Sequence, residues 1–281
     1  MAKTNNPFKL QGTIGDLTFF KDRDGNFRAR KKSSLDRKRV LNDPAFAQTR
    51  ENSREFGSAN TAGALLRRGA AAFLRTARDH GLVQRMLSLM CKVRDWDLES
   101  ARGARTVANG LLRPEGRQLL KGFDFNKDAP LDRVFRCPHL LEPGLVFRIP
   151  SLVPRRMLKS PKGATHVVFR SCAVLVDFEA GTTATAYSLP VTVPLDLQGR
   201  PVMVAPDTIP TGKGMLFWML LVEFQQELNG VHYPLHDRTH NVLHLLDVVP
   251  AEAVSAPLPS LQTVDQEPFL LHGIDVTRYK V

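Results

Sequence analysis

Four histidines, His232, His236, His240 and His244, recur at four-residue intervals. On an unbroken helix they would share one face and offer imidazole nitrogens to a transition metal. Pro234 interrupts the series, Asn229-Gly230 precedes it, and a strand-like run over residues 242–249 follows it. In an extended chain a four-residue step carries side chains more than ~10 Å apart. The pattern is therefore read as a turn and a strand, with no metal site expected. Asp22, Asp24 and Asn26 open like a calcium loop, but such a loop needs Gly at its sixth position and Glu at its twelfth. Phe27 and Ser33 stand there, and the intervening Arg28-Ala-Arg-Lys-Lys32 repels a cation. The simpler reading is a hairpin turn.

Nucleophilic chemistry finds no framework. There is no Gly-x-Ser-x-Gly, and Cys91, Cys137 and Cys172 are odd in number and widely spaced, forming no Cys-x-x-Cys pair. Neither a disulfide scaffold nor a zinc ribbon is indicated, and Cys172 reads as a small core residue. Gly12-x-x-Gly15 and Gly212-x-Gly214 are too short for nucleotide loops. Asp177, Glu179, Glu223 and Glu227 fall near the ends of candidate strands without a pattern that selects a pair. No catalytic residue and no cofactor is expected.

The basic residues carry the strongest signal. Arg28, Arg30, Lys31, Lys32, Arg37, Lys38 and Arg39 lie within twelve residues, opposed only by Asp36. Residues 1–140 hold 28 Lys and Arg against 15 Asp and Glu, whereas residues 141–281 hold 11 against 13. Such asymmetry points to a basic module beside a near-neutral one, facing a polyanion or an acidic subunit surface. Phosphate binding of this kind is salt-sensitive and independent of base sequence. No helix-turn-helix, zinc-finger or RNA-recognition motif accompanies it.

The elements that position these residues divide the 281 residues four ways. Residues 1–41 read as a basic β-hairpin arm. Its strands carry Phe19, Phe20 and Phe27, Asp24-Gly25 makes the turn, and one face is apolar and the other basic. Residues 42–129 read as a helical module. Asn42-Asp43-Pro44 starts a helix that is expected to stop at Gly57. A second helix over 61–78, rich in Ala and Gly, would align Arg67, Arg75 and Arg78 as a ridge. Further helices are expected over 82–93, 98–108 and 115–121.

Residues 130–250 read as an antiparallel β-sandwich-like domain with strands over 145–149, 165–178, 183–195, 215–226 and 242–249. Residues 251–281 read as an extended arm. Its apolar residues Phe269, Leu270, Leu271 and Tyr279 require a surface to cover them. The fold class is α+β. The opening residues contain no apolar run of signal-peptide length, and the longest apolar run, Met215 to Val222, is far short of the roughly 18–20 residues of a membrane span. A cytoplasmic location as synthesised is expected, with later release as a particle left open.

Several segments carry a resemblance. They are Gly12-Thr-Ile-Gly-Asp-Leu-Thr-Phe-Phe-Lys21, Gly25-Asn-Phe-Arg-Ala-Arg-Lys-Lys32 and Asn42-Asp-Pro-Ala-Phe-Ala-Gln-Thr-Arg-Glu-Asn-Ser-Arg-Glu-Phe-Gly57. With Asp177-Phe-Glu-Ala-Gly181 and Val222-Glu-Phe-Gln-Gln-Glu-Leu-Asn-Gly230 they resemble a protein family frequent in Bacteroidota, to which no activity is assigned. The likeness spans most of the chain and transfers no site residue. Taken together, the sequence leads to the expectation of a non-enzymatic, self-assembling structural or scaffold protein. Its partner would be itself, as homo-oligomers or filaments formed through the terminal arms. The alternative is a sequence-independent nucleic-acid-binding protein using the basic N-terminal module. A histidine-dependent metal protein is a third reading.

Overall fold

The computed structural model describes residues 2–3, 10–22, 24–32, 35–235 and 237–254. At the N-terminus β1 (Ala2–Lys3), β2 (Gly12–Ile14), β3 (Leu17–Lys21) and β4 (Phe27–Lys31) form an antiparallel sheet in the order β1-β4-β3-β2. The β3–β4 turn is built as the sequence indicates. Gly25 takes φ +85°, a conformation open to glycine. The Asp22 amide donates to the Asn26 carbonyl at 2.9 Å, and the Asn26 amide donates to Asp22 Oδ1 at 2.8 Å.

After α1 (Arg37–Asn42), whose N-terminus Asp36 caps, and a short 3-10 turn over Pro44–Phe46, α2 runs unbroken from Ala47 to Gly69. The expected stop at Gly57 does not occur. A mid-helix glycine costs only about 1 kcal/mol, and the buried stripe Glu55, Ala59, Ala62, Gly63, Leu65 and Leu66 continues through it. The expected helix over 61–78 is also corrected. It breaks at Gly69-Ala70, and only α3 (Ala71–Leu74) follows.

The break lies where α2 meets the sheet. A Cβ on Gly69 would stand 2.2 Å from Val174 Cγ1, and the Thr185 hydroxyl donates to the Gly69 carbonyl at 3.0 Å. Next come α4 (Leu82–Arg94), α5 (Val107–Leu112), capped by Thr106, and α6 (Pro114–Leu120). Residues 98–106, expected to be helical, form a loop instead. Asp97 accepts from the Ser100 amide at 3.0 Å, the Thr106 amide at 2.9 Å and Asn109 Nδ2 at 3.1 Å, binding both ends of that loop.

The remainder, apart from the short helices α7 (Leu131–Val134) and α8 (Pro154–Met157), is antiparallel sheet. A small sheet contains β5 (Leu140–Glu142), β6 (Val146–Leu152) and β10 (Arg200–Val204). The large one is built on β7 (His166–Asp177) and β11 (Met215–Leu228), which pair along eleven positions. Outside β7 lie β8 (Thr182–Tyr187) and β9 (Val191–Pro194); outside β11 lie β13 (Val242–Pro250) and β12 (Val231–Pro234). The run read as one strand over 183–195 is thus two. Pro190, which has no N–H to donate, falls between them.

The large sheet is covered on both faces. Cys172, Val174, Phe217, Met219 and Leu245 face α2, α4, α5 and α6. Phe169, Ala173, Trp218, Leu220 and Val242 face the small sheet. The structure is therefore α+β, with a sandwich-like pair of sheets and a helical layer sharing the central one. Among the described residues, no helix is long and apolar enough to cross a membrane.

Candidate subunit-contact and anion-binding surfaces

The N-terminal sheet gathers six of the predicted site residues, Phe19, Phe20, Phe27, Arg28, Arg30 and Lys31. Its register pairs Phe19 with Ala29, Lys21 with Phe27, Leu17 with Lys31 and Leu17 with Ile14. Cross-strand partners share a face. One face therefore carries Ile14, Leu17, Phe19, Phe27 and Ala29, with Lys21 and Lys31 at the strand ends; the other carries Thr18, Phe20, Arg28 and Arg30. No residue between Leu10 and Lys32 in the described sheet is buried, and Ile14 and Leu17 remain 61% and 45% exposed.

On the basic face the charges are partly engaged. Arg28 Nε lies 2.6 Å from Asp22 Oδ2, and the Arg30 guanidinium sits 5.5 Å above the Phe20 ring. Desolvation pushes the Asp22 carboxyl up, but hydrogen bonds from Asn26 and the charge of Arg28 outweigh it and hold it below the ordinary carboxylate range. Asp22 is thereby committed to the turn, as the hairpin reading requires. Lys31, Lys32, Arg37, Lys38 and Arg39 are exposed, although Arg39 Nε reaches Asp43 Oδ2 at 3.2 Å. Phe269, Leu270, Leu271 and Tyr279 lie outside the described residues.

Arg67, Arg75 and Arg78 do not share one continuous helix, yet the break after α2 brings all three to one cleft of about 650 Å³, with Ala71, His80 and Val83. The carboxylate in its wall, Asp79, is neutralised from behind. It is buried, paired with the Arg85 guanidinium, and accepts from the Gly81 amide at 2.6 Å and the Lys127 amide at 2.9 Å. Burial pushes the Asp79 carboxyl up, but those donors prevail and keep it below its ordinary value. The cleft is thus left with a cationic lining. Arg67 Nη1 is buried without a hydrogen-bond partner among the described residues, and desolvation lowers its pKa. An unpaired guanidinium N–H in a cationic cleft is suited to an anionic oxygen.

The described members of the four-histidine series, His232, His240 and His244, are dispersed over a turn and two strands. His232 is on β12, and His240 lies in a turn with Nδ1 3.7 Å from Asp237. His244, on β13, bonds Asp124 Oδ1 at 2.7 Å. His236 falls outside the described residues. Sequence spacing missed a different grouping, His166, Glu227 and His232, which cross-strand pairing alone brings together.

Two buried carboxylates are structural. Glu55 is only 2% exposed and accepts from Arg105 Nε and Nη2 at 2.9 and 2.8 Å and from the Gly103 amide at 2.7 Å. Arg105 foremost, against the cost of burial, lowers the Glu55 pKa from 4.5 to about 2. Burial pushes Asp97 up, but its amide donors bring it to about 2. Burial raises all three thiols, Cys137 to about 12, so none is poised as a thiolate. In comparisons with protein-family models, curated proteins and solved structures, nothing matches the chain.

Proposed function

We propose that the protein is a non-enzymatic structural protein that assembles with copies of itself through its N-terminal sheet. One observation carries this reading: the face of Ile14, Leu17, Phe19 and Ala29, with Lys21 and Lys31 at the strand ends, is not buried by any of the described residues. A small sheet is marginal in water unless something packs on it. An adjacent copy offers a cover that is always present at matching concentration, and such contacts propagate into rings or filaments depending on whether they close. The C-terminal segment 267–281, with Phe269, Leu270, Leu271 and Tyr279, is the second proposed contact.

Size exclusion with light scattering and absorbance at 260 and 280 nm, at about 50 and 200 mM salt, tests the reading. The untagged full-length chain should form a large species at both salts without excess absorbance at 260 nm. Deleting residues 1–34, or the double change Ile14→Lys and Leu17→Lys, should leave a folded monomer. Unchanged assembly in both variants, and after removal of residues 267–281, would sink it.

The arginine cleft favours a second reading, sequence-independent binding of nucleic acid or another polyanion. Arg67, Arg75 and Arg78 would follow phosphates together with the exposed Lys31, Lys32, Arg37 and Lys38. The readings part on salt, since phosphate contacts weaken steeply as counterions compete. A monomer that sheds nucleic acid as salt rises would put this reading first.

A further inference from the structure

The geometry points to a transition-metal site at His166, Glu227 and His232. These three residues come from three adjacent strands, β7, β11 and β12. Glu227 stands directly opposite His232, while His166 stands opposite Gln225, two residues before Glu227. With a two-residue side-chain period, all of them project from one face of the sheet. One ligand atom from each lies within 4.8 Å of the others. His166 Nε2 is 3.6 Å from Glu227 Oε2, and the two imidazole centroids are 4.4 Å apart at 87°. Ligand atoms of a tetrahedral zinc centre stand about 3.3–3.6 Å apart, given metal–ligand bonds of about 2.0–2.2 Å. Small rotations of the exposed Glu227 and His232 side chains close the remaining difference.

A supporting contact orients the set. The Thr165 hydroxyl lies 3.0 Å from His166 Nδ1 and accepts the Glu227 amide at 2.7 Å. It therefore ties the two strands at this level and turns the Nε2 edge of His166 toward Glu227. A hydrogen-bond partner on the second ring nitrogen is what a metal-bound histidine uses to fix its orientation. Two imidazoles and one carboxylate suit zinc(II) and its first-row neighbours better than magnesium or calcium, which take all-oxygen sets. Three protein ligands leave a fourth position for water. The cluster sits at the end of β11, where burial falls away and Glu227 and His232 are exposed, so an ion has access from solvent. It is independent of the arginine cleft and of the N-terminal sheet.

Untagged full-length protein, stripped with a chelator and dialysed, is titrated with zinc(II) by calorimetry and with cobalt(II) by visible absorbance. One equivalent should bind, with tetrahedral cobalt bands and a rise in melting temperature. His166→Asn and His232→Asn should each weaken zinc binding by at least about tenfold. Thr165→Val, which keeps all three ligands, should weaken it about 10–100-fold through lost orientation. His240→Asn, remote from the set, should leave it unchanged. Circular dichroism confirms that each variant is folded. One-equivalent binding that persists in the His166→Asn/His232→Asn double variant, or a wild-type protein that binds neither ion, would overturn the inference.

Discussion

At the scale of single residues, Glu55 concentrates the electrostatics of the helical layer. Its carboxylate joins α2 to Arg105 and to the Gly103 amide, closing the loop ahead of α5. Glu55→Gln removes the carboxylate that Arg105 grips from the buried end, leaving that half-buried guanidinium only the longer contact to Asp95 at 3.6 Å. It should cost about 1.5–3 kcal/mol in denaturant unfolding, the usual worth of hydrogen bonds to a charged group. Its pKa is depressed from 4.5 to about 2, so its contribution is present in full above pH 4.5 and is lost as pH falls toward 2. At about 1.4 kcal/mol per pH unit this amounts to roughly 3 kcal/mol. Unfolding free energies measured from pH 6 to 2 should fall through that window, and less steeply in Glu55→Gln. A parallel decline in both proteins would show that Glu55 is not the titrating group. Nothing about residue 55 reveals this in the sequence, because its partners lie about fifty positions downstream.

At the scale of elements, glycines set how closely helices stack. A Cβ on Gly110 of α5 would lie 2.1 Å from the Val93 carbonyl oxygen of α4, and one on Gly116 of α6 would lie 2.0 Å from the Gly110 carbonyl oxygen. Neither obstacle is a side chain that can swing away. Gly110→Ala should therefore destabilise by about 1–3 kcal/mol or more, read by thermal melting, despite alanine's better helix propensity. A neutral or stabilising result would mean that the α4–α5 contact is looser than described. The arginine cleft belongs to this scale too, since it exists because α2 stops at Gly69. If it binds polyanions, Arg67→Gln/Arg75→Gln/Arg78→Gln should lower the slope of log affinity against log salt for duplex DNA by up to about 2.7, near 0.9 per lost phosphate contact. An unchanged slope would remove the cleft from any binding surface.

At the scale of the whole molecule, the body and the N-terminal sheet differ in how much each buries. The central sheet is enclosed by helices on one side and the small sheet on the other, whereas none of the described residues 10–22 and 24–32 is buried. Removing residues 1–34 should leave the cooperative melt of the monomeric body within a few degrees of its original position while abolishing assembly. A collapse of the melt would make the sheet part of the core. Much of this plan was legible in the chain: the Asp-Gly hairpin, the helix over 82–93, the long apolar strands around Cys172 and Leu220, and the charge division between halves. Those features depend on local spacing and turn chemistry, which the order of residues carries directly. The stop of α2 at Gly69, the cleft that this break makes of the expected Arg67, Arg75 and Arg78 ridge, and the meeting of His166 with Glu227 and His232 were not legible. Each depends on which elements lie against each other in space. Strand register and sheet contact decide that, and residues far apart along the chain become neighbours only once the core has closed.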